Sequence, residues 1–117
     1  MKNNFKEIEV RIDSSGVCEI TLNRPDKHNA MNRNMIDELE ATMNALPRPL
    51  VSIVYGSAFG GGLGLISVSD TVIASESSKF GLTETRLGLI PATIGPFVIK
   101  KLGESFGRNV FFSGKIF

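Results

Sequence analysis

Gly56-Ser57-Ala58-Phe59-Gly60-Gly61-Gly62-Leu63-Gly64-Leu65 is the stretch whose reading decides the fold. It holds five of the chain's 12 glycines and follows an apolar, β-branched run, Leu50-Val51-Ser52-Ile53-Val54-Tyr55. That run reads as a buried strand. Glycine inside a helix or strand costs roughly 0.5–1 kcal/mol relative to alanine, so three in succession at a strand-to-helix junction mark a place where bare backbone is wanted. A helix starting there offers free amide N–H groups and the positive end of its dipole, with no side chains blocking approach. Such a start suits an oxyanion.

Other glycine motifs fit less well. A phosphate-binding P-loop would close on Gly-Lys-Ser or Gly-Lys-Thr, and the dinucleotide fingerprint would need a small residue where Leu65 stands. Glycines serving only close helix-to-sheet packing would account for Gly62 and Gly64, but not for the run of three.

Outward from this segment the chain reads as one domain over residues 1–117, with 42% hydrophobic residues as core material. Thirteen basic and 12 acidic side chains leave a net charge of +1, which implies no nucleic acid partner. Cys18 is the single cysteine, excludes an internal disulfide, and shares the parity of Ile20 and Leu22, as a small buried hydrophobe would. No charge occurs from Pro49 to Ser69, but the glycines and serines in this run suit a buried strand and helix better than a membrane span. The N-terminus lacks the apolar core of a signal peptide, so the expected location is cytoplasmic, without a membrane partner.

Glu7–Ile12 and Cys18–Leu22 alternate polar and apolar around Asp13-Ser14-Ser15-Gly16, which predicts an antiparallel hairpin. A polar loop, Asn23–Ala30, leads to a helix whose apolar face carries Met31, Met35, Ile36, Leu39, Met43 and Leu46. Asn29 or Asn32 would cap it, and Pro47 and Pro49 would stop it. Thr71–Ala74 reads as a strand parallel to Leu50–Tyr55, completing a βαβ unit. Lys79–Gly81 is a further extended piece, Glu84 falls on a short helical turn with Arg86 within reach, and two helices follow, Ile94–Leu102 and Glu104–Phe112.

Three segments together resemble the crotonase superfamily of enoyl-CoA hydratases and isomerases: Leu22–Met31, the Pro49–Gly62 run, and Lys79-Phe80-Gly81-Leu82-Thr83-Glu84-Thr85-Arg86-Leu87-Gly88-Leu89-Ile90-Pro91. Within the family the chain looks most like the methylglutaconyl-CoA hydratase branch. The fold implied is α/β, a truncated crotonase-like ββα unit in which an N-terminal hairpin joins a βαβ parallel sheet with flanking helices. The resemblance further implies an acyl-CoA thioester as substrate, with coenzyme A present only as part of it and no separate cofactor or metal. Gly61 would supply an oxyanion amide beside Gly60, and Glu84 would carry the proton, work that a carboxylate does when partly desolvated. Lys27, His28 and Ala30 match the segment that lies along CoA, and Gly60 is implied as a further substrate-binding residue; read alone, His28 is a solvated loop residue.

Two departures stand out. Many hydratases place a second glutamate where this chain has Gly64. The family also carries a strand, an Ala-Gly-Ala-Asp-Leu-like loop with the other oxyanion amide, and a helix, where this chain runs from Leu46 straight into Pro47. The expectation is therefore an internally deleted, impaired hydratase lacking the family's C-terminal helices. The alternative is a non-catalytic remnant, a homo-oligomer or one that associates through exposed strand edges with an intact homologue.

Overall fold

The computed structural model describes residues 4–46 and 49–117. Its contacts cluster into two compact units, residues 1–48 and 49–117. The helix stop expected at Pro47 lies outside the described residues.

In the first unit β1 (Ile8–Ile12) and β2 (Cys18–Leu22) form the expected antiparallel hairpin. Its register sets Ile8 opposite Leu22, Val10 opposite Ile20 and Ile12 opposite Cys18, so the apolar residues share one face. That face is buried at Ile8 and opens toward the turn, where Ile12 is exposed. Helix α1 (Arg33–Asn44) starts at Asn32, whose side-chain oxygen accepts the Met35 N–H at 2.8 Å. Asn29 is not the cap. The helix buries a stripe of Met35, Leu39 and Thr42, and Ile36, one residue round the helix from Met35, is exposed rather than on the core face.

The second unit carries the crossover. Strand β3 (Val51–Val54) pairs in parallel with β5 (Thr71–Ala74), and α2 (Gly61–Ser67) lies between them in sequence. The glycine segment also contains an unexpected strand. After Gly56, at φ +87°, β4 (Ser57–Phe59) forms and pairs in parallel with β6 (Lys79–Gly81). The described strands thus make three two-stranded sheets. Nor is β3 buried on both faces as its composition suggests. With one neighbouring strand it shows ordinary alternation: Val54 is buried, whereas Val51, Ile53 and the facing Ile73 are exposed.

A 3-10 turn spans Thr83–Leu87, followed by α3 (Gly95–Leu102) and α4 (Glu104–Ser113). Leu63 of α2, Leu82, Val98 of α3 and Val110 of α4 form the buried cluster, with Phe80, Ile94, Leu102, Phe111 and Phe117 packed around it. Gly107 permits the close approach of α4 to α3, since a Cβ there would sit 3.0 Å from the Ile99 Cα. The uncharged run from Pro49 to Ser69 is thus spent on β3, β4 and α2, and no described helix is long and apolar enough to cross a membrane.

Candidate active site

Gly60 joins β4 to α2 at φ 52°, ψ −124°, a conformation L side chains rarely adopt. Its N–H donates to the Gly81 carbonyl at 3.2 Å, which ties the end of β4 to the end of β6. The chain leaving β6 therefore passes over the start of α2. Leu82, fully buried, anchors it in the core, and two residues later Glu84 returns to the glycines. A Cβ built on Gly60 would stand 3.0 Å from Glu84 Oε1 and 3.4 Å from its carboxyl carbon. Gly60 thus answers two demands, a positive φ and the space for a carboxyl group.

Glu84 itself is held by its backbone: Leu89 N–H donates to its carbonyl at 3.0 Å, and Gly88, at φ +72°, closes the turn. Arg86 does not pair with it but donates from Nε to the Gly114 carbonyl at 2.9 Å. Among the described residues, Glu84 Oε2 is the one buried side-chain polar atom without a hydrogen-bond partner. An unpaired polar atom out of water costs roughly 1–3 kcal/mol, so this carboxyl group does not add to stability where it stands. Gly64 N–H makes the first α2 hydrogen bond, to the Gly60 carbonyl at 3.1 Å, so the Gly61 amide precedes it and has no intrahelical acceptor. Gly60 and Glu84 are therefore brought together, bare backbone beside a carboxyl group with a buried, unpartnered oxygen, and Gly61 follows Gly60 in the chain.

The other three expected residues belong to the first unit. Lys27 ends a 3-10 turn, Pro25–Lys27, and His28 and Asn29 follow in the left-handed region at φ 51° and 53°. Two such residues in succession need local support. Arg24 provides it: its N–H donates to Asn29 Oδ1 at 2.7 Å, its guanidinium donates to the Ala30 carbonyl, and its Nε pairs with Glu7 Oε2 at 2.9 Å. Lys27 and His28 are exposed, and the nearest acid to Lys27 is the equally exposed Asp26 at 4.0 Å. Arg24, Asn29 and Glu7 shape this loop, a role not assigned to them in the sequence analysis. The available signal was Asn29, a residue type enriched at positive φ, five residues after an arginine.

The profile of the enoyl-CoA hydratase/isomerase family matches residues 41–117, which include Gly60, Gly61 and Glu84. The chain belongs to this family. An enoyl-CoA hydratase of Alternaria alternata (AFT6-1) is 38% identical over 80 residues, covering 68% of this chain and 27% of the relative. The human mitochondrial methylglutaconyl-CoA hydratase is 33% identical over 85 residues, covering 69% and 25%. Among solved structures, an enoyl-CoA hydratase from Shewanella pealeana superposes with a TM-score of 0.91 at 26% identity, covering 97% of this chain and 63% of that one. The chain thus spans less than two thirds of these relatives' length.

A further relative bears on the difference in length. The alignment with the bacillaene synthase dehydratase PksH of Bacillus subtilis, 25% identical, runs over 153 positions yet uses 86% of this chain's 117 residues. A large block of alignment positions therefore stands opposite no residue here, within the aligned stretch, in agreement with the internal omission read from the sequence.

Proposed function

We propose that this chain is an acyl-CoA hydratase/isomerase-type protein that binds an enoyl-CoA thioester at the Gly61–Glu84 site. The observation that carries this reading is the Glu84 carboxyl group set against the Gly60 backbone with its Oε2 buried and unpartnered. The substrate's thioester carbonyl accepts the Gly61 N–H, where negative charge grows as the enolate forms. Glu84 moves the proton at the α-carbon, a role open to a carboxylate whose oxygen is not already engaged. Coenzyme A enters as part of the substrate.

Catalysis is impaired in this reading, because the family's second oxyanion loop is missing from the sequence. Losing one such donor lowers transition-state stabilisation by about 2.7–4 kcal/mol, a rate factor of about a hundred to a thousand. The test is the loss of conjugated enoyl-thioester absorbance with the purified chain and with Glu84→Gln. The wild type should exceed background, with the variant lower by about a hundredfold or more, down to background. Equal rates for both would remove Glu84 from the chemistry.

A second reading has its own support. Val51, Ile53 and Ile73 form an exposed apolar sheet face, and the two-stranded sheets have open edges. These features suit a non-catalytic remnant that associates with itself or with an intact homologue. Sedimentation showing a monodisperse monomer at micromolar concentration, with or without an intact family member, would end that reading.

A further inference from the structure

Gly60 and Gly64 stand one turn apart, joined by the Gly64 N–H to Gly60 carbonyl bond of 3.1 Å. Each exposes bare backbone to one side chain. Against Gly60 lies the Glu84 carboxyl; against Gly64 lies Ile94, close enough that an added Cβ would come within 2.9 Å of the Ile94 Cβ and nearer still to its Cγ2. The entry to α2 thus has a carboxylate against one glycine and a branched hydrocarbon against the next, one turn on.

Ile94 is firmly placed. It sits at the start of α3, its carbonyl accepts the Phe97 and Val98 N–H groups at 3.0 Å each, and its side chain packs on the buried cluster of Leu63, Leu82, Val98 and Val110. A β-branched residue has little χ1 freedom with which to swing aside. A second carboxylate at position 64 therefore has no room, because Ile94 fills that space.

We infer that Ile94 is a specificity-determining residue of the Glu84 site, an apolar wall that selects enoyl thioesters by the bulk of the hydrocarbon next to the reacting carbons. This rests on the acyl-CoA reading above. The site consequently works with one carboxylate, and trimming Ile94 makes room for a branched acyl group.

Two measurements on the full chain test this. Thermal unfolding of wild type, Gly64→Ala, Ile94→Ala and the double variant reads the packing: Gly64→Ala alone should lower the midpoint by at least ~4 °C, and the same change made on Ile94→Ala should lower it far less. Titration with crotonyl-CoA and 3-methylcrotonyl-CoA reads the selectivity: Ile94→Ala should shift the ratio of the two dissociation constants by at least ~10-fold toward the branched thioester. Ile94→Val, which removes one methyl group, should shift it the same way and serves if the larger truncation unfolds. Additive midpoints, or binding with an unchanged ratio, would overturn the role of Ile94 while leaving the acyl-CoA reading intact. Binding of neither thioester to any variant, with the midpoint coupling present, would overturn the acyl-CoA reading and this assignment with it.

Discussion

The two units treat their carboxylates in opposite ways. In the first, Glu38 of α1 accepts three backbone N–H groups, from Lys6 at 2.9 Å, Glu7 at 2.9 Å and Ile8 at 3.2 Å. Glu7 is engaged through both oxygens, by the Arg24 guanidinium and by the Asn32 side-chain amide. In the second, Glu84 has a buried oxygen without a hydrogen-bond partner, and its carboxyl group occupies the space left by Gly60. The first arrangement adds to stability, whereas a buried oxygen without a partner subtracts from it. The contrast separates carboxylates that hold the fold from one that the fold holds.

The largest effect should come from the support rather than the acid. Leu82→Ala removes a fully buried side chain from the cluster two residues before Glu84 and should lower stability by about 2–5 kcal/mol in urea unfolding. A loss below about 1 kcal/mol would mean that packing does not hold the Glu84 turn in place. Next in size, Glu38→Ala deprives three amides of a charged acceptor and should lower stability by about 1.5–3 kcal/mol, with faster hydrogen exchange at Lys6, Glu7 and Ile8. Glu84→Met should go the other way. It removes an unpartnered carboxylate and should raise stability by about 1 kcal/mol while abolishing turnover. A destabilised Glu84→Met would erase the distinction between the two units.

The smallest effect concerns Asp13 in the hairpin turn. Its carboxyl is held below the ordinary 3.8, chiefly by the Ser15 hydroxyl and then by the Val17 N–H. A depressed value means that the fold favours the ionised form. The contribution is therefore present above pH 3.8 and lost as pH falls through the lower folded value. The Ser15 and Val17 amide resonances should move only below pH 3.8, and in Asp13→Asn they should stay still across that range.

Much of this was legible in the chain. The hairpin, α1, the β3–α2–β5 crossover and the start of α2 at the glycines follow from periodicity and punctuation, which are local. The three residues of β4 were hidden, because Ser57-Ala58-Phe59 is too short for alternation to register and is flanked by glycines that read as a loop. Glu84 reads as a candidate, but the burial of its Oε2 and its freedom from Arg86 depend on tertiary packing and on the Gly114 carbonyl, which no local pattern contains. Gly64 read as a lost carboxylate, while the reason it must be glycine, Ile94, lies thirty residues on and shows only when α3 packs. Exposure of Ile36 and Ile53 was equally a tertiary matter: apolar composition proposes a face, and the number of neighbours decides whether it is covered.

The φ of 52° and ψ of −124° at Gly60 have a consequence in terms of handedness. Reflected, these angles fall in the broad extended region that ordinary residues occupy, so a D-amino acid is at ease where an L-amino acid is strained. The methyl group of D-alanine would replace the other α-hydrogen and so project away from the direction in which an L residue meets Glu84. Chemical synthesis of the chain with D-alanine in place of Gly60 would stiffen the entry to α2 and leave the carboxyl group its space, while L-alanine would crowd it. Mirror-image chemistry thus separates the two demands that evolution could meet together only with glycine.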